Sequence, residues 1–281
     1  MAEDKIREIT SFSNPAIKQI RALHMRKARE ESGLFLAEGV RTVREALELG
    51  VAPAQLVYVG AERDQKAVAL TRRLARQAGA EIIETSAAVM EKIARRDNPQ
   101  SVVGVFRQRL LPLSALDPRR ASLWVALEGV RDPGNLGTVI RTADAAGAGG
   151  VILIGTVCDP FSIEAVRATM GSIFAMALYV AGVDEAVPFL RAWNGTCVGT
   201  ALQTDVGYRE ITYAPPALIV SGAEQHGLSD EIRAACNHLV KLPMKGRADS
   251  LNLAVATAIV VYEALARQDQ KSSPLRGEAA P

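Results

Sequence analysis

The sequence predicts two α/β domains in series. Three observations carry this. Short apolar, β-branched runs alternate with segments of helical periodicity along most of the chain, which is the pattern of strand–helix–strand units. At 281 residues the chain exceeds the roughly 100–150 residues of a typical single domain. Residues 108–121 contain Pro112 and Pro118 and no long apolar run, and they read as a linker.

In the first region, residues 1–107, strands are expected at 34–37, 56–59, 81–85 and 102–106. Helices are expected at 39–49, 65–78 and 87–96. Gly50 and Gly79 stand just past two of these helices, where a left-handed residue closes the last turn. Upstream, Ile17, Ile20 and Leu23 form an apolar stripe on a further predicted helix. In the second region, residues 122–267, strands are expected at 123–130, 150–154, 196–201, 217–221 and 238–242. These are near-continuous apolar runs, so the sheet is expected to be parallel and covered on both faces. The last helix is expected at 250–267. Its core, 251–265, contains Asn252, Tyr262 and Glu263 and reads as a buried helix, short of the roughly 20 apolar residues a membrane span needs. The tail, 268–281, is polar with Pro and Gly and is expected to be disordered.

Apolar residues make up 48% and charged residues 23%, the composition of a globular chain rather than a disordered one. The formal net charge of +2 conceals an asymmetry: residues 1–121 carry +6 and residues 122–281 carry −4. An anionic partner is therefore expected for the first region. Cys158, Cys197 and Cys236 are odd in number and far apart, and they read as small core residues in a reducing, cytoplasmic setting. His24, His226 and His238 have no zinc-ligand spacing, so no metal is expected. The N-terminus lacks the apolar core of a signal peptide.

Three loops concentrate the polar residues of the second region. In the first, 128–144, Asp132-Pro133-Gly134 supplies turn chemistry, and Asn135 stands where a helix N-cap belongs, before a helix at 136–146. Arg141 follows within two helical turns. In the second, 217–231, Gly222 and Gly227 bracket Glu224; Gly222 would admit a ligand close to the backbone, and Ser229 is a candidate N-cap followed by Asp230 and Glu231. In the third, 241–256, Pro243 ends a strand, Gly246 and Asp249-Ser250 lead into the last helix, and Asn252 is a weak helix residue unless its side chain has a partner. Each loop follows an apolar strand, the edge at which open α/β sheets bind ligands, so the three suggest one composite site. The pattern alone leaves a simpler alternative open at each position: Asn135 only a cap, Arg141 a surface arginine, Glu224 a solvated loop acid. Dinucleotide and hydrolase readings fit poorly. The glycines at 147–150 precede a strand instead of following one, and neither a P-loop nor a GxSxG elbow is present.

In order and spacing, EGVRDPGNLGTVIRTADAAG, LIVSGAEQHGLSDEI and LPMKGRADSLNLAVATAIVVYEAL resemble the three signature motifs of the SpoU (TrmH-like) RNA 2′-O-ribose methyltransferases of the SPOUT superfamily. Residues 9–47 resemble the substrate-binding domain, similar to an L7Ae/L30e ribosomal protein, that precedes the catalytic domain in many members. The resemblance implies a C-terminal parallel-sheet domain closed by a deep trefoil knot, a fold that pattern alone would not suggest. It implies S-adenosylmethionine as cofactor, an RNA substrate and a homodimer. Carried over residue by residue, Gly222, Leu242 and Leu251 stand at cofactor-contact positions, with Thr200, Ala201, Leu202 and Met244 as further candidates. Asn135, Arg141, Glu224, Ser250 and Asn252 match the polar active-site positions. Gln225, His226 and Ala177 depart from the residues common in the family.

On this reading Arg141 positions the ribose-phosphate and stabilises the alkoxide forming at the 2′-oxygen, since arginine stays protonated and suits charge stabilisation. A nearby phosphate or water takes the proton. Asn135 and Asn252 fix the loops and the substrate, and Glu224 orients Arg141 or a neighbouring loop. In the first region, Lys18, Arg21, Arg26, Lys27 and Arg29 stand in an acid-free stretch, 9–29, and are candidates for phosphate contact together with Arg41. Arg95, Arg96, Arg107, Arg109, Arg119 and Arg120 could extend the set. Aromatic residues are only 5%, which favours shape and backbone recognition of structured RNA over base stacking. The substrate is expected to be 23S rRNA; tRNA, a catalytically inactive RNA-binding assembly factor and a nucleotide-dependent oxidoreductase are the alternatives. RNA affinity is expected to fall with rising salt and with charge reversal at Arg26 and Lys27, measured by a filter-binding titration on rRNA.

Overall fold

The apolar runs of the sequence become the interior strands of two separate sheets. In the computed structural model, residues 6–95 and 99–272 are described. The first half runs β1 (Arg7–Glu8), α1 (Pro15–Ala22), α2 (Arg26–Ser32), β2 (Leu34–Glu38), α3 (Val40–Glu48), β3 (Gln55–Val59), α4 (Lys66–Gln77), β4 (Glu81–Thr85), α5 (Ala87–Ala94) and β5 (Val102–Arg107). The second runs β6 (Leu111–Pro112), β7 (Leu123–Glu128), α6 (Pro133–Ala145), β8 (Val151–Ile154), α7 (Ile163–Thr169), β9 (Leu178–Ala181), α8 (Val183–Arg191), β10 (Thr196–Thr200), β11 (Ala217–Ser221), α9 (Asp230–Ala235), β12 (His238–Val240) and α10 (Leu253–Ser272).

The chain divides into two compact units: Met1–Arg109 with Asp159–Ala175, and Leu110–Cys158 with Met176–Pro281. The first holds a five-stranded sheet in the order β1-β4-β3-β5-β2. It is mixed: β4 pairs parallel with β1 and β3, while β5 runs antiparallel to β3 and β2. Ile17, Ile20, Val57, Ile83, Met90 and Ile93 are buried in its core. Gly50 and Gly79 take φ of 76° and 88°, the left-handed conformation expected after α3 and α4.

The basic N-terminal segment forms two helices rather than one, α1 with Asn14 as its cap and α2 ending at Gly33. Arg29 is buried, which corrects its expected place among the surface cations. Its guanidinium bonds Asp159 Oδ2 at 2.7 Å and the Leu23 carbonyl at 2.8 Å. A buried arginine needs such full pairing. Around Asp159, residues 159–175 pack within this unit although they fall inside the second domain's sequence. The Phe161 ring lies 4.9 Å from that of Phe35, the Phe174 ring 4.5 Å from that of Phe106, and Arg167 bonds Glu38 at 2.7 Å.

The second unit holds a seven-stranded sheet in the order β12-β10-β11-β7-β8-β9-β6. Every pairing in it is parallel, as the continuous apolar runs anticipate. α6 packs against α10, and α8 against α9. Residues 108–121, expected as a linker, carry structure instead: β6 pairs with β9, and Leu113 and Leu116 are buried against Trp124 and Tyr179. The two prolines that suggested a linker sit at an edge strand and at the first position of a 3₁₀ turn, both places where a missing N–H is tolerated. The last helix is not buried all round. Thr257, Val260, Val261 and Ala264 face the core, whereas Val255 and Tyr262 are exposed. It also reaches Ser272, into the tail expected to be disordered, while residues 273–281 lie outside the described residues.

Phe161→Ala is expected to destabilise the first unit by about 3–5 kcal/mol, the cost of deleting a buried aromatic ring, read from urea unfolding followed by the fluorescence and far-UV signals.

Candidate functional site

The three loops converge at the carboxyl ends of β7, β11 and β12. After β7 the chain turns at Gly129, and α6 begins three residues earlier than expected. Asp132, not Asn135, is the N-cap, its Oδ1 accepting the Asn135 N–H at 2.6 Å. The reason is Pro133, whose fixed φ and missing N–H suit the first helical position. Asn135 is thereby released from capping, and its carboxamide makes tertiary bonds.

Those bonds tie the loops together. Asn252 caps α10, its Oδ1 accepting from Ala254 N at 2.9 Å and Val255 N at 3.3 Å. Its Nδ2 donates to Asn135 Oδ1 at 2.8 Å, and Asn135 Nδ2 donates to Glu224 Oε1 at 3.0 Å. The result is a chain of side-chain hydrogen bonds from α10 through α6 to the loop after β11. Glu224 thus orients the β7 loop rather than Arg141. Burial would push the Glu224 carboxyl up, but the Asn135 amide and backbone N–H groups of Glu224, Arg131 and Asp132 outweigh it and hold the carboxyl below its ordinary range.

Beside this chain lies a cavity of about 670 Å³. Thr200, Ala201, Leu202, Gly222, Leu242, Met244 and Leu251 all line it, as do Glu224, Ser250 and Asn252. Asn135 stands at its border through its two bonds. Arg141 does not line the cavity; it is exposed on α6 and makes no hydrogen bond or ion pair among the described residues. The structure gives a reason of its own for the glycine at 222: a Cβ there would collide with the backbone of Gly227 and Leu228, which folds back through the Ala223–Gly227 bridge. Ser229 caps α9 as expected, accepting from Ile232 N.

Sequence reasoning missed a buried junction behind the cavity residues Ser221 and Leu253. The Thr257 hydroxyl lies 2.8 Å from both Ser221 Oγ and Leu253 O, and all three residues are buried. A lone threonine in the apolar run LAVATAIVV was the available signal. Of the three cysteines, Cys197 and Cys236 are neighbours, and their mutual hydrogen bond, with burial, pushes the Cys197 thiol up. That suits an inert core residue.

Of the basic residues of the first unit, Lys18, Arg26, Lys27 and Arg41 are exposed and Arg21 is half-buried. Arg26 and Lys27 pair with Glu30 (2.7 Å) and Glu31 (3.8 Å) one turn on, so the acid-free stretch is followed at once by its counter-charges. Arg95 closes α5, Arg119 pairs with Asp117, and Arg96 lies outside the described residues. Among the described residues no group of three or more His, Cys, Asp or Glu could hold a metal ion, and no helix is long and apolar enough to cross a membrane.

Residues 122–262, the span holding all three loops, match the model of the SpoU rRNA methylase family. The chain belongs to this family. Residues 14–104 match the MRM3-like substrate binding domain. Among SpoU relatives, the 23S rRNA (uridine(2479)-2′-O)-methyltransferase of Streptomyces viridochromogenes is 33% identical, covering 92% of this chain and 92% of its own. The 23S rRNA (guanosine(2553)-2′-O)-methyltransferase of Bacillus subtilis is 31% identical over 92% of this chain and 98% of its own. Among solved structures, the AdoMet-bound rRNA methyltransferase of Sinorhizobium meliloti is 46% identical, with a TM-score of 0.83 over 92% of this chain and 97% of that one.

Asn135→Ala is expected to raise the Glu224 carboxyl, because a donor to its charged form is lost. Carboxyl-carbon NMR titration reads this directly. In the parent, the lowered value favours folding above the ordinary carboxylate range, and that contribution is lost as pH falls through the folded value; the variant loses it at a higher pH.

Proposed function

We propose that the chain methylates the 2′-hydroxyl of a ribose in structured RNA, 23S rRNA in the first place, using S-adenosylmethionine. The observation that carries this is the hydrogen-bond chain Asn252–Asn135–Glu224 bordering one cavity lined by every candidate cofactor residue. The names of the SpoU relatives support rRNA over tRNA.

The cavity fits the cofactor in size and chemistry. Its volume lies in the range of small-molecule sites. Leu202, Leu242, Met244 and Leu251 supply apolar walls, Gly222 supplies bare backbone, and Glu224 and Asp249 supply negative charge suited to a sulfonium cation. When bound, S-adenosylmethionine supplies a methyl group on positively charged sulfur. The protein's part is to place the acceptor hydroxyl and manage its charge. Asn135 and Asn252 hold the β7 and β12 loops in one register, so the ribose meets a preformed border. Ser250, exposed beside Asp249, is placed to hold a backbone phosphate or the ribose. Arg141 carries a charge with no hydrogen-bond or ion-pair partner among the described residues, available to a phosphate and to the oxygen losing its proton. The proton passes to that phosphate or to water.

The exposed cations of the first unit, Lys18, Arg26, Lys27 and Arg41, with the partly exposed Arg21, grip the RNA backbone. The family's homodimer is supported by the exposed Val255 and Tyr262, one above the other on α10. The family's knotted path belongs to the same reading; in this chain Lys241, whose N–H bonds Val206 O at 2.9 Å and whose carbonyl accepts from Tyr208 N at 3.1 Å, holds the entry to the third loop beside residues 206–208. With rRNA as substrate, the protein works in the cytoplasm.

Arg141→Ala is expected to lower methylation of 23S rRNA by about 100-fold or more, the scale of losing a charge-stabilising group, with S-adenosylmethionine affinity by calorimetry unchanged. Parental turnover by this variant would remove Arg141 from the mechanism.

A further inference from the structure

A second cavity, of about 720 Å³, lies on the other side of the loop after β11. The two cavities share residues 223–228 as a wall. The second opens where the strand order reverses: β7 and β11 are neighbours, but the helix after β7 packs with α10 and the helix after β11 packs with α8. Such a switch point leaves a crevice outside the carboxyl ends of the strands, and open α/β sheets place ligands there. The cofactor reading leaves this crevice unassigned.

We infer that this crevice receives the base of the nucleotide whose ribose is methylated, and that it selects a base bearing an imino N–H, guanine or uracil. The inference rests on the RNA 2′-O-methylation reading. A base is carried on the same sugar as the reacting hydroxyl, so a base drawn out of structured RNA needs a chamber adjoining the catalytic border. Ile154, Val183 and Leu228 give this one apolar walls, and Arg131 stands at the same lining with a planar guanidinium suited to stacking. Selectivity comes from Glu128. It is buried at the end of β7, and its Oε2 accepts the Ser229 N–H at 2.8 Å. Its Oε1 takes no hydrogen bond among the described residues. An ionised carboxylate only accepts. It therefore matches the N1–H and N2–H of guanine or the N3–H of uracil; the ring nitrogens of adenine and cytosine cannot donate, which leaves those bases only their exocyclic amines.

The test uses the full-length protein, labelled S-adenosylmethionine and deproteinised 23S rRNA, with the labelled nucleoside identified after digestion. Label is expected in 2′-O-methylguanosine or 2′-O-methyluridine. Glu128→Gln keeps an acceptor for Ser229 but sets an amide donor against the imino N–H. It is expected to lower kcat/KM for RNA by about tenfold or more, the scale of one recognition pair, with unchanged cofactor affinity. Thr156→Trp, at an exposed lining position, is expected to fill the chamber with the same split. Label in 2′-O-methyladenosine or 2′-O-methylcytidine, or parental kcat/KM in both variants, overturns the base chamber alone. No incorporation by the parent overturns the functional reading and the chamber with it.

Discussion

The Asn135 carboxamide bonds two other loops at once, donating to Glu224 and accepting from Asn252. An amide is a neutral group that can do both in a fixed geometry. Aspartate in its place would lose the donor and set two carboxylates against each other. Because the three partners come from β7, β11 and β12 loops, this single side chain sets the relative position of the segments that border both cavities. The buried hydroxyls of Ser221 and Thr257 secure the same junction from below, joining the end of β11 to α10.

Much of this was legible in residue order. The parallel sheet followed from apolar runs without alternation, and the edge that holds both cavities followed from where those runs stop. The three loops could be recognised as one site, and every cofactor candidate lines one cavity. The start of α6 was misplaced because two polar residues competed for the cap, and the pattern favoured the one nearer the apolar stripe. Pro133 decided for Asp132. That decision frees both ends of the Asn135 carboxamide for the bonds to Glu224 and Asn252.

Tertiary pairing is what one-dimensional patterns miss. Arg29 belongs by sequence to a run of surface cations, yet its partner Asp159 lies 130 residues away. Nothing local separates it from Arg26. Likewise residues 108–121 look like a tether because their apolar residues, Leu113 and Leu116, are few, and their burial depends on Trp124 and Tyr179 from distant strands. The second cavity was invisible for a related reason. Glu128 reads as the polar end of a buried strand, and only the assembled switch point puts it on the wall of a cavity.

The placement of residues 159–175 bears on how such a protein can evolve. The chain passes between its two units three times, after Arg109, Cys158 and Ala175. Recombination at a single junction could not exchange the first unit for another. A transplanted replacement for residues 1–109 would leave Asp159 without Arg29, Arg167 without Glu38, and Phe161 and Phe174 without the rings of Phe35 and Phe106. The two units are therefore bound to a shared inheritance: drift in the helix–turn segment of the second gene half must be matched by drift in β2 and α2 of the first.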